Sequence, residues 1–231
     1  MPKPPEATRF PGRIGDWVLA NNHQFIAFNK PAGLAVQPDR SEQLSLQQMG
    51  AAFCRTDLQA IHRLDQPVSG LILYGKKKSA IKALSSQFRE RQAQKTYLAI
   101  VGQRPPQDKD QLEHHLHHSG KANKTNVVSA DHAKAKAASL SYEIIASSER
   151  YFLLRIDLNT GLTHQIRAQL AAIGCPIRGD RKYGFKRSNP GGQIDLHAWQ
   201  LSFQHPVSGE AIELIAPWPE APVWQAFANL V

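Results

Sequence analysis

Short strand-like runs recur between Val18 and Ile215 with few helical patterns between them, in no regular alternation. A doubly wound parallel sheet needs a helix after nearly every strand. The order here instead predicts an α+β chain with a mixed, largely antiparallel sheet and flanking helices. Residues 18–20 and 25–28, separated by Asn21-Asn22, read as strand, turn, strand. Residues 71–74, 96–101, 140–145 and 151–158 read as further strands. The turn His205-Pro206-Val207-Ser208-Gly209 sits between residues 196–203 and 211–215 and predicts a hairpin. Residues 112–129 are polar, with Ser119-Gly120 as a turn, and read as a long exposed hairpin or arm.

Four helices are expected. Ser45 is placed to cap one running to about residue 54. Ser79 is placed to cap a second, with Ile81, Leu84 and Phe88 on one face. Thr163 is placed to cap a third, with Ile166, Leu170 and Ile173 inward and Gly174 at the C-terminal stop. The last covers residues 224–230. Residues 1–17 are proline-rich and read as a flexible lead-in, which leaves 18–231 as one domain.

Charge narrows the partner. The chain of 231 residues has 28 Lys and Arg against 19 Asp and Glu, a net charge of +9. That excess favours a polyanion, and nucleic acid is the commonest soluble one. Cys54 and Cys175 stand apart, so neither a metal knuckle nor a disulfide framework is predicted. No stretch approaches the ~18 consecutive apolar residues of a membrane helix, and the N-terminus lacks a signal peptide's apolar run. A cytoplasmic protein is expected, with no membrane partner and no protein partner implied; monomer is the default.

Several segments can carry chemistry. Asp65 lies in the loop Ile61-His62-Arg63-Leu64-Asp65-Gln66-Pro67-Val68-Ser69-Gly70, just before a strand, where a reactive group can be held rigidly. Taken by itself, the loop reads more readily as a turn whose Asp bonds its own backbone. His164 and Arg167 are three apart near a helix start, where an anion is favoured. Tyr97 follows Lys95-Thr96 at a strand start. Gly179-Asp180-Arg181-Lys182-Tyr183-Gly184 is a basic loop with an aromatic ring. His114, His115, His117 and His118 invite a metal, but a strand splits them between two faces and no Cys is near, so an RNA-facing arm is the better reading.

Together these segments resemble the RluA family of pseudouridine synthases. The chain has that family's HRLD loop at His62-Arg63-Leu64-Asp65, continuing to Ser69-Gly70, and its NKPAG segment at Asn29-Lys30-Pro31-Ala32-Gly33. It has the K-x-Y strand at Lys95-Thr96-Tyr97. Thr163-His164-Gln165-Ile166-Arg167 and Gly179-Asp180 with Tyr183-Gly184 resemble the helix and loop that follow. The likeness runs in order from about Val18 to Pro217. It departs at Val68, where the family often has Thr, and at Leu162, where it commonly has Arg. The separate N-terminal RNA-binding module of many relatives is not seen, so the catalytic domain is expected to grip RNA by itself.

The resemblance implies the pseudouridine synthase fold with a central RNA-binding cleft, and isomerisation of uridine in a ribosomal or transfer RNA stem-loop without metal or cofactor. It implies Asp65 as the catalytic carboxylate, acting covalently or in proton transfer at the sugar, and Arg167 as the partner that keeps it ionised. Tyr97 would stack on the uracil and take part in removing the C5 proton. Arg63 would enter the space vacated by a flipped base. His164, Lys30, Arg181 and Lys182 are expected to bind the RNA or take part in base flipping, as is His62, which would support the loop. Lys121 and Lys124 would clamp phosphates. A non-catalytic RNA-binding protein and a metal-dependent hydrolase centred on the histidines are the rival readings.

Overall fold

The computed structural model describes residues 10–39 and 43–230. The strands are β1 (Val18–Asn21), β2 (Phe25–Lys30), β3 (Gln59–Ala60), β4 (Ser69–Gly75), β5 (Gln94–Val101), β6 (Lys109–Ser119), β7 (Lys124–Val128), β8 (Lys136–Ser147), β9 (Phe152–Leu158), β10 (Leu196–Gln204) and β11 (Ala211–Ile215). The helices are α1 (Leu46–Cys54), α2 (Lys78–Arg89), α3 (Gln165–Ala172) and α4 (Pro222–Ala228). The strands form one sheet in the order β1-β2-β4-β10-β5-β9-β8-β6-β7, with β3 beside β4 and β11 beside β10. Among the described residues only β4 and β10 run parallel. The expected α+β class with a mixed, largely antiparallel sheet is the observed one.

The middle of the sheet positions the site. β10 enters from the C-terminal part of the chain and lies between β4 and β5, pairing Ala198 with Gly70 on one side and with Tyr97 on the other. Gly70 makes this possible. Its φ is +107°, and a Cβ there would lie 2.2 Å from the Ala198 carbonyl oxygen. No other residue type allows that approach.

The run Leu98–Val101 is apolar without alternation because both faces of β5 are covered. Ala99 and Val101 join the main core, while Leu98 and Ile100 pack with Leu153, Trp224 and Phe227 beneath α4. Trp224 Nε1 also donates to Asp195 at 3.0 Å, which fixes α4 to the start of β10.

Helix starts test the local reading. Ser45 caps α1 as expected, in a reciprocal box with Gln48. Ser79 does not cap α2: the helix begins at Lys78, and its N-cap residue Lys77 makes no side-chain cap bond. Ile81 lies directly over Gly75, whose missing Cβ makes room for it, so the first turn sits tight on the end of β4. Thr163 does not cap α3 either. The N-cap is His164, in a left-handed conformation with φ 55°. Gln165 folds back instead, accepting from Leu162 N at 3.0 Å and from Thr160 Oγ1 at 2.8 Å. Gly174 takes the expected positive φ after α3.

Residues 1–9 of the expected lead-in lie outside the described residues. Its remainder is folded: Ile14–Trp17 form a 3-10 helix, and Trp17 is buried in the main core. No described helix is long and apolar enough to cross a membrane.

Candidate active site

A cleft of about 530 Å³ opens between the two wings of the sheet. One wall is the loop from Ile61 to Asp65 together with Phe88, Arg89 and Arg91, and the other is the segment from Leu158 to Arg167. Tyr97 and Leu196 form part of the floor. The sequence elements that meet here are far apart in the chain, and the β4-β10-β5 arrangement brings them together.

Asp65 is paired with Arg167, whose Nη1 donates to Asp65 Oδ2 at 2.9 Å. The rest of the guanidinium is held by Asp180, which accepts from Nε at 2.7 Å and from Nη2 at 2.9 Å. Its centre lies 4.9 Å from the centroid of the Tyr183 ring. Both Arg167 and Asp180 are buried, whereas the Asp65 side chain keeps 22% of its surface open to the cleft. Burial works against the Arg167 charge, but Asp180 and then Asp65 more than offset it, so its pKa is raised and it stays cationic. Arg167 is therefore a fixed cation with one N–H aimed at Asp65.

His164 Nε2 lies 3.5 Å from the same Asp65 oxygen, and its Nδ1 is 2.9 Å from Tyr183 Oη. Tyr183 Oη in turn accepts from Thr125 N on β7 at 2.8 Å. Burial first, then the cations Arg167 and Lys182, outweigh Asp65 and push the His164 pKa down to about 4. His164 is neutral at neutral pH. The left-handed backbone at His164 is the strained feature that turns its ring toward Asp65.

Tyr97 is buried on the cleft floor, and burial first, then the Asp65 charge, raises its pKa. It is a neutral phenol. His62 stacks on Phe88 with centroids 4.9 Å apart, and its Nε2 accepts from Leu73 N at 3.2 Å. It braces the loop from behind, with its pKa pushed down to about 3 by burial and by Lys95. Arg63 is exposed on the cleft wall.

The expectation that Lys30 meets RNA fails. Lys30 is fully buried, and its Nζ donates to Leu34 O at 2.9 Å, Pro31 O at 3.1 Å and Gln66 O at 3.2 Å. It faces inward at the end of β2 and laces its own loop to the residue after Asp65. Burial lowers its pKa to about 7 against the opposing pull of Asp65. Arg181 and Lys182 are exposed and do not line the cleft; Lys182 Nζ bonds Asn123 O in the turn of the β6–β7 hairpin. Val68 is buried in the core, and Leu162 packs against the Leu116, Ala138, Ala168 and Tyr183 cluster, so both departures are apolar residues in apolar surroundings.

The histidine run divides as strand geometry requires. His114 bonds Gln169 of α3 at 3.1 Å; His118 bonds Thr125 of β7 at 3.0 Å with its ring 5.7 Å from that of His164 at the start of α3, while the His117 ring is tilted against that of His132. Among the described residues no group of three or more His, Cys, Asp or Glu is arranged to hold a metal. Sequence reasoning missed the part Asp180 plays. A signal existed: a buried guanidinium needs more than one acceptor, and Asp180 stands in a segment already singled out.

Three other histidines, two of them in the cleft and His197 on β10, set a pH dependence of stability. His62, His164 and His197 have folded pKa values of about 3, 4 and 4, against 6.5 when unfolded; for His197 the cause is burial. Below 6.5 the unfolded chain binds protons that the folded chain refuses. Stability is therefore complete above pH 6.5 and falls as the pH drops toward 4. The expected loss is on the order of 1 to 2 kcal/mol per histidine at pH 5. Thermal unfolding at pH 7 and pH 5 measures it, and an unchanged Tm would contradict it.

The sequence signature of the RNA pseudouridylate synthase family matches residues 24–172. The tRNA pseudouridine synthase C of Yersinia pestis is 33% identical, over 92% of this chain and 89% of that protein. The ribosomal large subunit pseudouridine synthase C of Rickettsia bellii is 31% identical, over 88% of this chain and 69% of that protein. Human RNA Pseudouridylate Synthase Domain Containing 4 shares the fold, with a TM-score of 0.74 at 23% identity over 93% of both chains. On these grounds the chain belongs to the RluA-type RNA pseudouridine synthases, isomerases that act on RNA.

Proposed function

We propose that the chain isomerises uridine in a ribosomal or transfer RNA stem-loop, with Asp65 as the catalytic carboxylate. The observation that carries this reading is the Asp65–Arg167–Asp180 arrangement at the cleft. A buried cation with two of its N–H groups committed elsewhere presents the third to one carboxylate, whose free edge faces the space a nucleoside would fill. The names of the relatives include both transfer RNA and large-subunit ribosomal RNA, and they supply the two substrate classes.

The N1–C1′ bond must break and C5 must join C1′. The base is out of reach inside a stacked loop, so it is flipped into the cleft at a cost of roughly a few kcal/mol. Arg63, exposed at the wall, enters the gap left behind. Asp65 then acts at the sugar, either on C1′ or on a proton, and Arg167 stabilises the negative charge it needs. Tyr97 stacks on the uracil. Its raised pKa makes it a poor phenolate, so when its oxygen takes the C5 proton its own hydroxyl proton must pass to a second acceptor, the Asp65 carboxylate once released from the sugar or a water. Lys182, Lys121 and Lys124 bring positive charge to the hairpin side for the RNA backbone.

Tyr97→Phe is expected to keep RNA affinity within about twofold, since the ring is retained, and to slow turnover about 10²-fold through the lost hydroxyl. Single-turnover kinetics separate the two, and full turnover would remove Tyr97 from proton transfer. The reading as a whole is tested by mapping pseudouridine in total RNA with and without the gene. A site lost on deletion and restored by the wild-type chain names the substrate; an unchanged map together with inactivity on transcribed stem-loops would leave RNA binding without catalysis.

A further inference from the structure

Lys95 is the half-buried cation of the cleft that the chemistry above leaves unused; Arg89 and Arg91, also on the wall, are exposed. It lies two residues before Tyr97 on β5, so both side chains leave the same face of the strand, about 7 Å apart along it. It lines the cleft and also a groove of about 730 Å³ that continues over Arg155, Asp157, Asn159, Gln200 and Glu213. Lys95 thus stands where the two spaces join. Among the described residues its ammonium makes no hydrogen bond and no ion pair; it lies 6.0 Å from the centroid of the Phe88 ring.

The groove's two carboxylates are engaged elsewhere, Asp157 by Thr96 at 2.7 Å and Arg155 at 3.7 Å and Glu213 by Gln200, and neither forms an ion pair with Lys95. Burial, then Arg91, lowers its pKa, and its own charge depresses that of His62. Opposite it is Gly161, where a Cβ would lie 3.2 Å from the ammonium, so bare backbone faces it across the gap. A half-buried ammonium with no ion-pair partner, beside an RNA-sized opening, gains most from an anion brought by the substrate. A nucleotide's phosphate stands from its own base at a distance comparable to the Lys95–Tyr97 spacing.

We propose that Lys95 binds a phosphodiester flanking the flipped uridine, and so positions the nucleotide as its base meets Tyr97. This rests on the reading that the uracil occupies the cleft. The spacing, the missing partner and the junction with the groove carry it. Arg63 would fill the stack, and Lys95 would hold the backbone of the nucleotide that left it.

The test uses a stem-loop substrate carrying a single uncharged methylphosphonate on either side of the target uridine. With wild-type enzyme, one of the two substitutions is expected to lower kcat/KM about ten- to a hundred-fold, the value of one charge-assisted contact. Lys95→Met is expected to lose a similar factor on the unmodified RNA, mainly in KM, and to lose nothing further on the methylphosphonate. Its slope of log K against log salt should fall by about one phosphate's worth. Lys95→Arg, which keeps the charge, should keep the methylphosphonate sensitivity.

Losses that multiply in Lys95→Met, or a wild-type enzyme indifferent to both methylphosphonates, overturn the proposal. In either case an inert Asp65→Asn leaves the reading of the cleft standing. An Asp65→Asn enzyme that turns over like wild type brings down both.

Discussion

Asp65→Asn is expected to remove pseudouridine formation by about 10⁴-fold or more in kcat, the scale seen when a group that acts on the reacting atoms is lost. The change is nearly isosteric. The loop should hold, because its turn is closed by backbone, with Val68 N bonded to Asp65 O, and by the Lys30 bonds to three carbonyls. Arg167 should hold as well, since two of its three anchoring bonds go to Asp180. What disappears is the charge. Covalent attack at C1′ and proton transfer at the sugar both need an ionised oxygen, and an amide supplies neither. RNA affinity should stay within a few-fold of wild type, because the basic surface is untouched. Release of the C5 hydrogen from labelled RNA reads the chemistry, and a gel shift reads binding. An Asn enzyme within tenfold of wild type would take Asp65 out of the reaction.

Much of this architecture was legible in the chain because local chemistry and final structure agree. Strand-turn-strand at residues 18–30, the Ser45 cap and Gly174 after α3 follow from rules that act within a few residues. The misreadings share one cause: a tertiary contact displaced a local preference. Ser79 lost the cap because Ile81 seats on Gly75. Thr163 lost it because buried Gln165 reaches Leu162 and Thr160, while the Thr163 carbonyl accepts from Thr125. Lys30 looked like an RNA contact because lysines are rarely fully buried, and only the folded loop reveals its three carbonyl partners.

The insertion of β10 between β4 and β5 was not legible at all. It depends on Gly70 admitting the Ala198 backbone, a pairing across more than half the chain. The site shows the same division. Asp65, Tyr97 and Arg167 were picked out by motif, and their meeting at one cleft required the sheet. The polar sequence of residues 112–129 reads as a long exposed hairpin or arm. One face instead carries Leu112 and Leu116 into the core, with His114 and His118 turned to α3.

Arg167→Met should separate stability from catalysis. The substitution strands Asp180, which is 1% exposed and whose carboxylate, among the described residues, is hydrogen-bonded by no side chain but Arg167. Removing one member of a buried ion pair costs about 3–5 kcal/mol, a large part of the stability of an ordinary domain. Asp65 is partly open to solvent and loses much less. The double variant Arg167→Met/Asp180→Leu removes the stranded charge together with its partner, and replacing a buried pair by apolar groups of similar volume is often neutral. Most of the lost stability should therefore return in denaturant unfolding. Activity should not return, because Asp65 still lacks its cation; turnover is expected to stay about 10²–10³-fold down, the scale of losing one preorganised charge at a reacting centre. Arg167→Lys should fall between: a single ammonium cannot bond Asp180 through two donors and Asp65 through a third in the same plane. If the double variant recovered turnover along with stability, Arg167 would be a strut for the fold. If Arg167→Met unfolded no more easily than wild type, the buried pair with Asp180 would contribute nothing net, and its place in the molecule would be to aim one N–H at Asp65.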